Sequence, residues 1–162
     1  MKKLALIIIA VMMVFSFAVM AGCEAKSEES ATGAEWSISV TDAGGKTVEF
    51  TNADAGKLEM VEVEAVLVKK DGSETNEKWK GVLLSDVLEY CGITEYNTVA
   101  VEASDGYSKE LEASAASDAG TILGFYLDGT EVSVEDGLVQ LVGVNLPGSS
   151  WIKNVAKITV VN

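Results

Sequence analysis

The sequence predicts an α+β domain that is mainly β. Short segments alternate between apolar and polar residues, as half-buried strands do, and turn residues separate these segments. One segment alone has a clear helical stripe of apolar residues. The chain shows no repeat of 20–50 residues and no regular alternation of strand and helix, which disfavours solenoids and doubly wound folds. Its 162 residues suit one domain.

Residues 1–22 are predicted to be a secretory signal peptide. Lys2 and Lys3 precede an unbroken apolar stretch from Leu4 to Phe15, and small residues follow it. A transmembrane anchor is the alternative, because the apolar run is close to the lower length limit of a membrane span. The ending decides between them: residues 19–23, Val-Met-Ala-Gly-Cys, resemble the bacterial lipoprotein signal. That resemblance implies cleavage after residue 22 and a diacylglycerol thioether on Cys23.

Residues 23–35 are predicted to be a flexible acidic tether. From Glu24 to Glu35 the chain contains Ser, Ala, Thr, Gly, Glu and Lys but no large apolar residue, which is typical of disordered linkers. Two or more acyl chains on Cys23, at about 0.8 kcal/mol per buried methylene, would give stable anchoring. The expected location is the extracytoplasmic face of the cell membrane, with the membrane as a partner through the lipid. Residues 36–162 then form the single folded domain.

Strand patterns dominate the first half of this domain. Trp36–Val40 alternates cleanly, and a turn at Asp42–Lys46 leads to a second strand at Thr47–Phe50, as in a hairpin. Leu58–Val68 is the longest predicted strand, with apolar residues on one face and glutamates on the other. Lys69–Asn76 is polar and contains Asp-Gly, which predicts a loop or a hairpin end.

One helix is predicted after this loop, and strands follow it. Leu84, Val87, Leu88 and Cys91 recur at i, i+3, i+4 and i+7 and form one apolar stripe. Ser85 or its neighbour is expected to cap the start, and Gly92 lies where a left-handed C-terminal cap is expected. The other predicted elements are a weaker helix at Ala113–Ala119, a tight turn at Asp128-Gly129, and strands at Thr98–Ala103, Thr121–Leu127, Thr130–Val134, Leu138–Val142 and Ala156–Val161.

The charge composition excludes several classes of function. The chain has 25 acidic residues and 12 cations, all of them lysine, which gives a net charge of −13. Cleavage after residue 22 would remove two lysines and no acid, leaving −15. Without histidine and arginine, a Ser-His-Asp triad, a histidine metal site and a bidentate arginine clamp on phosphate are excluded. No nucleic acid partner is expected, because an acidic chain gains nothing from counterion release. With Cys23 acylated, the remaining Cys91 has no disulfide partner within the chain.

Five motifs follow one another in an order that resembles a known family. Trp79–Leu88 resembles a W-x-G-V-x-L-x-D-L-L block, and Trp151–Val160 resembles a closing W-V-K-x-I…I-x-V block. Between them lie Asp105-Gly106-Tyr107, Leu127-Asp128-Gly129 and Asp136–Val142. In order and spacing they are similar to the oxidoreductase molybdopterin-binding domain of the sulfite-oxidase superfamily. The resemblance covers roughly residues 58–161 and implies a sulfite-oxidase-type molybdopterin-binding-domain fold.

The family's activity depends on residues that this sequence does not supply. The resemblance implies a molybdenum-ligating cysteine ten or more residues before the W-x-G block, and arginine or histidine around the cofactor phosphate and substrate oxyanion. Cys91 lies on the wrong side of that block, Leu138 replaces the family's proline, and Gln140 replaces its arginine. Soft metals prefer thiolates, and phosphate prefers concentrated positive charge. The fold is therefore expected without a bound cofactor, with molybdopterin as the alternative by family resemblance. The residues that stand where the cysteine is expected include Ala65, Val66, Leu67 and Lys69.

A candidate pocket is assembled from the motifs and the loop between them. The Asp105-Gly106-Tyr107 segment forms either a pocket mouth or a strand-to-strand turn. The loop at residues 144–150 contains the only proline, and is either a cofactor-facing segment or an ordered surface loop. Trp79 and Trp151 either line a ligand cleft or pack in the core. No catalytic residue and no metal ligand is assigned. The candidate pocket residues are Asp105, Gly106, Tyr107, Gln140, Asn145, Ser149, Ser150, Trp151 and Lys153.

Two other groups are interpreted as structural. Cys91 lies on the apolar stripe of its helix, which favours a buried structural cysteine over a reactive thiol or a metal ligand. Glu59, Glu62 and Glu64 are carboxylates of the kind that calcium prefers. No calcium-site spacing accompanies them, so a solvated strand face is favoured.

Three functions remain open at this point. The first is a non-catalytic binding module for a small ligand or a protein partner, and the missing thiolate and arginines favour it. The second is an oxidoreductase with a thiolate-free site that holds molybdopterin through backbone amides, lysines such as Lys69, Lys70 or Lys153, and the loop Asn145–Ser150. The third is a structural accessory protein of the cell surface. The sequence does not rank the first against the third.

Overall fold

The computed structural model describes residues 33–69 and 71–162. The predicted signal peptide, the acylation site Cys23, most of the tether and Lys70 lie outside these residues. Ten strands form two sheets, and three short helices connect strands. This confirms the predicted α+β, mainly β class. The elements are β1 Ser37–Thr41, β2 Thr47–Thr51, α1 Asn52–Ala55, β3 Met60–Val68, β4 Glu74–Leu83, α2 Leu84–Tyr90, β5 Thr98–Ala103, β6 Ser108–Glu112, α3 Ala113–Ala116, β7 Thr121–Leu127, β8 Thr130–Glu131, β9 Gln140–Gly143, a 3-10 turn at Gly148–Ser150, and β10 Val155–Val161.

The first sheet joins the two ends of the described chain. Its strand order is β2-β1-β10-β5-β6, and β1 pairs with β10 in parallel while its other pairs are antiparallel. Ser39 lies opposite Lys157 in the parallel pair. Alternate residues of these strands point inward, as their burial pattern shows. The predicted hairpin of β1 and β2 is confirmed.

The second sheet is antiparallel throughout and carries apolar side chains on both faces. Its order is β3-β4-β7-β8, and β9 also pairs with β7. Val82, Leu123 and Leu141 pack with residues of the first sheet in the larger core. Trp79 and Ile122 point to the opposite, outer face, where a smaller core forms. The other buried members of this outer core are Val63, Ala65, Val132, Val142 and Trp151.

Several elements differ from the sequence prediction. Strand β4 begins at Glu74, so the predicted loop at residues 69–76 ends earlier and the W-x-G block starts within a strand. Leu83 takes the N-cap position of α2 without a side-chain hydrogen bond, so the prediction of a cap by Ser85 is wrong. Gly92 has the predicted left-handed conformation, with φ of 83°. The strand after Asp128-Gly129 is limited to β8, two residues long, and α1 was not predicted at all.

The helices of the described residues are short. They contain four, seven and four residues, and none of them has the length and apolarity that a membrane span requires.

A cluster of polar side chains joins α1 to α2. Tyr90 donates a hydrogen bond of 2.7 Å to Oδ1 of Asp54, and Lys57 Nζ lies 2.9 Å from the same oxygen. Asp54 also forms a capping box with Thr51 at the start of α1. Partial burial opposes ionisation, but hydrogen bonds from Lys57, Thr51 and Tyr90 outweigh it and hold the pKa of Asp54 well below its usual range.

We predict that Asp54→Ala lowers the free energy of unfolding by about 2 kcal/mol at pH 7, because it removes the cap and the charged acceptor. Since the pKa of Asp54 is depressed in the folded protein, its contribution is complete above the unfolded pKa near 4 and declines as the pH falls below it. Urea unfolding of wild type and variant at pH 7 and pH 3 should therefore show a smaller difference at pH 3. Glu110→Gln, on an exposed position of β6, is the control and should change stability little at either pH.

Candidate functional site

A cleft opens on the outer face of the second sheet. Its volume is about 230 Å³, and residues from β3, β4, β7, β8 and β9 line it together with the loops after β8 and before β10. Its walls combine apolar side chains with carboxylates, one amide, one hydroxyl and one ammonium group. The lining residues are Leu67, Glu77, Trp79, Leu127, Thr130, Glu131, Val132, Asp136, Gln140 and Lys153.

Trp79 forms the apolar wall between the cleft and the outer core. The Trp79 and Trp151 rings meet edge to face, with centroids 6.4 Å apart. A Cβ at Gly124 would lie 2.6 Å from Cε3 of Trp79, so the indole lies directly over the backbone of β7. Trp79 Nε1 donates a hydrogen bond of 2.9 Å to Glu77, and Trp151 Nε1 donates one of 3.3 Å to the carbonyl of Gly143.

The glycine of the W-x-G motif has a structural cause. A Cβ at Gly81 would lie 1.9 Å from the carbonyl oxygen of Leu123. This overlap with the backbone leaves room for glycine alone. The register between β4 and β7 shifts between Lys80 and Gly81, so the two backbones approach closely beside Trp79. Such bulges redirect neighbouring side chains and are frequent next to functional sites.

Three carboxylates and one lysine determine the charge of the cleft. Glu77 accepts from the Trp79 indole, Asp136 accepts from the hydroxyl of Ser133 at 2.6 Å, and Glu131 accepts from the backbone N–H of Gly33. The salt bridges found among residues 33–69 and 71–162 join Lys57 to Asp54, Lys78 to Glu62, and Lys157 to Glu102, so none uses these carboxylates. Lys153 is the single cation of the lining.

Gln140 brings a polar side chain to the lining of the cleft. The residue is 5% exposed, and its backbone pairs with Gly124 of β7. Along β9 it lies on the same face as Val142, which belongs to the outer core. Among the described residues the one buried side-chain group without a hydrogen-bond partner is the indole N–H of Trp36, so the carboxamide of Gln140 is not a buried unsatisfied group.

Strained backbone flanks the cleft on two sides. Leu138 and Asn154 both have positive φ, at 48° and 53°, although neither is glycine. Gly137, with φ of 95°, lies so close to Asn154 that a Cβ there would be 2.6 Å from the Asn154 Cβ. These residues adjoin the lining residues Asp136 and Lys153. Strain of this kind clusters at functional sites, where surrounding structure holds it in place.

The structure brings two of the nine candidate pocket residues, Gln140 and Lys153, into the cleft. Trp151 lies behind it in the outer core. Tyr107 is exposed and donates a hydrogen bond of 2.9 Å to the carbonyl of Ser149, which joins the β5–β6 turn to the 3-10 turn. Within that turn Asp105 accepts from the Tyr107 N–H, and Gly106 has φ of 87°. The remaining candidates also lie off the cleft lining: Ser150 ends the 3-10 turn, and Asn145 donates to Asp118 at 3.1 Å.

Cys91 lies at the C-terminal end of α2, where it packs against the larger core between the sheets rather than the outer core beside the cleft. Burial, and then the negative charge of Asp54, raise the pKa of its thiol, which favours the protonated form. Among residues 33–69 and 71–162 no group of three or more acidic or cysteine side chains is arranged to hold a metal ion. Glu62 instead pairs with Lys78 of the neighbouring strand at 2.9 Å.

Sequence reasoning missed the carboxylates of the cleft. Glu77 precedes the W-x-G block by two residues, and Asp136 opens the fourth motif, so both lay within or beside segments already singled out. Glu131 follows the Asp128-Gly129 turn. Alternation places Glu77 on the same strand face as Trp79, a signal that could have been used. No sequence signal places Glu131 and Asp136 beside them.

The chain belongs to the oxidoreductase molybdopterin binding domain family, whose model matches residues 25–162. No curated protein matches it in sequence. Among solved structures it is similar to the sulfane dehydrogenase SoxCD from Paracoccus pantotrophus, at 18% identity and a TM-score of 0.69. That match covers 78% of this chain but only 38% of the SoxCD chain, and it shows the fold alone.

The lining residues do not fit the cofactor of the family. No thiolate is among the residues that line the cleft. The resemblance implies a cysteine in the segment that contains Leu67, and Leu67 is the residue of that segment that lines the cleft. Three carboxylates against one ammonium repel a phosphate instead of binding it.

We predict that Gly124→Ala displaces the Trp79 indole, because the new methyl group would overlap Cε3. The expected cost is about 1–3 kcal/mol of unfolding free energy, with a changed near-ultraviolet circular dichroism signal from the Trp79–Trp151 pair. Urea unfolding and circular dichroism measure both effects. Gly44→Ala, in the exposed β1–β2 turn, is the matched control. An unchanged tryptophan signal in Gly124→Ala would contradict the described contact.

Proposed function

We propose that this protein is a lipid-anchored, extracytoplasmic binding module, in which the cleft of a molybdopterin-type domain takes a small ligand in place of molybdopterin. The observation that carries the proposal is the lining itself, where Leu67 occupies the region expected to supply a thiolate and carboxylates outnumber cations. Membership of the family supports the fold, and the altered lining supports the change of ligand. The proposal assigns no catalytic step.

The anchoring half of the proposal is supported by the sequence. A basic start, an apolar core and small residues before Cys23 have the order of a lipoprotein signal. Acyl chains on that cysteine would hold the protein at the membrane, while the acidic domain would stand off from an anionic surface on its tether.

Elemental analysis with mass spectrometry, on protein isolated from membranes of its native host, tests the cleft. We expect an amount of molybdenum far below one per chain and no pterin in the denatured extract. A small molecule released in stoichiometric amount would identify the ligand directly. Tightly held, stoichiometric molybdopterin would refute the proposed change of ligand.

Substitution of the two cysteines tests the anchor. Cys23→Ser removes the only thioether acceptor of the lipoprotein signal, so we expect it to abolish acylation and release the protein from the membrane fraction. Cys91→Ser is the matched control, and it should remain acylated and membrane-bound. Fractionation with detection of the lipid mass measures the result. Membrane retention of Cys23→Ser would argue for a transmembrane anchor instead.

A further inference from the structure

We draw no further inference here: the strongest candidate, the edge of β3 that no strand among the described residues covers and that exposes Val66 and Val68, supports none, because nothing in the structure shows what would bind there.

Discussion

The position of Trp79 over Gly124 is the contact on which the outer half of the molecule depends. The second sheet has an apolar outer face that the first sheet cannot cover, and a two-layer domain must bury such a face. The indole fills this space because β7 offers a backbone without a side chain at that point. Trp151 then packs against it edge to face and holds the chain before β10 across the sheet. The cleft is the part of the outer face that this cover leaves open.

The strands could be predicted where one face is buried and the other solvated. Both β1 and β3 show that alternation, and the structure confirms them. The first half of β4 has no apolar signal, because residues 74–78 are all polar although they pair with β3 along their whole length. Lys78 adds an ion pair with Glu62 of that strand. Helix α1 could not be predicted from hydrophobic periodicity either, because four residues are too few to form an apolar stripe.

The site was harder to predict than the fold. Gln140 and Lys153 could be singled out because they lie in motifs with a recognisable order. The carboxylates could not, because the chain has 25 acidic residues and those of the cleft come from β4, β8 and the loop after β8. Their convergence is a property of strand pairing across the sheet, which local patterns do not encode. The candidate residues Asp105 and Asn145 show the converse, since Asp105 stabilises a turn and Asn145 makes a loop contact away from the cleft.

The residues that preserve the fold differ from those that would hold a cofactor. Gly81 and Gly124 are required by close backbone and indole contacts, and Gly137 by its left-handed conformation beside Asn154. A change of the side chain at Leu67 or Gln140 would leave these contacts intact. The packing of the fold is therefore independent of the group that the cleft binds.

The chain enters the domain beside the cleft, and this connects the site to the proposed anchor. The backbone N–H of Gly33 bonds to Glu131, one of the lining carboxylates. Ten residues separate Cys23 from Gly33, and a fully extended chain spans at most about 3.6 Å per residue, or about 36 Å in all. An acylated Cys23 would thus keep the mouth of the cleft within that distance of the lipid, whatever path the tether takes.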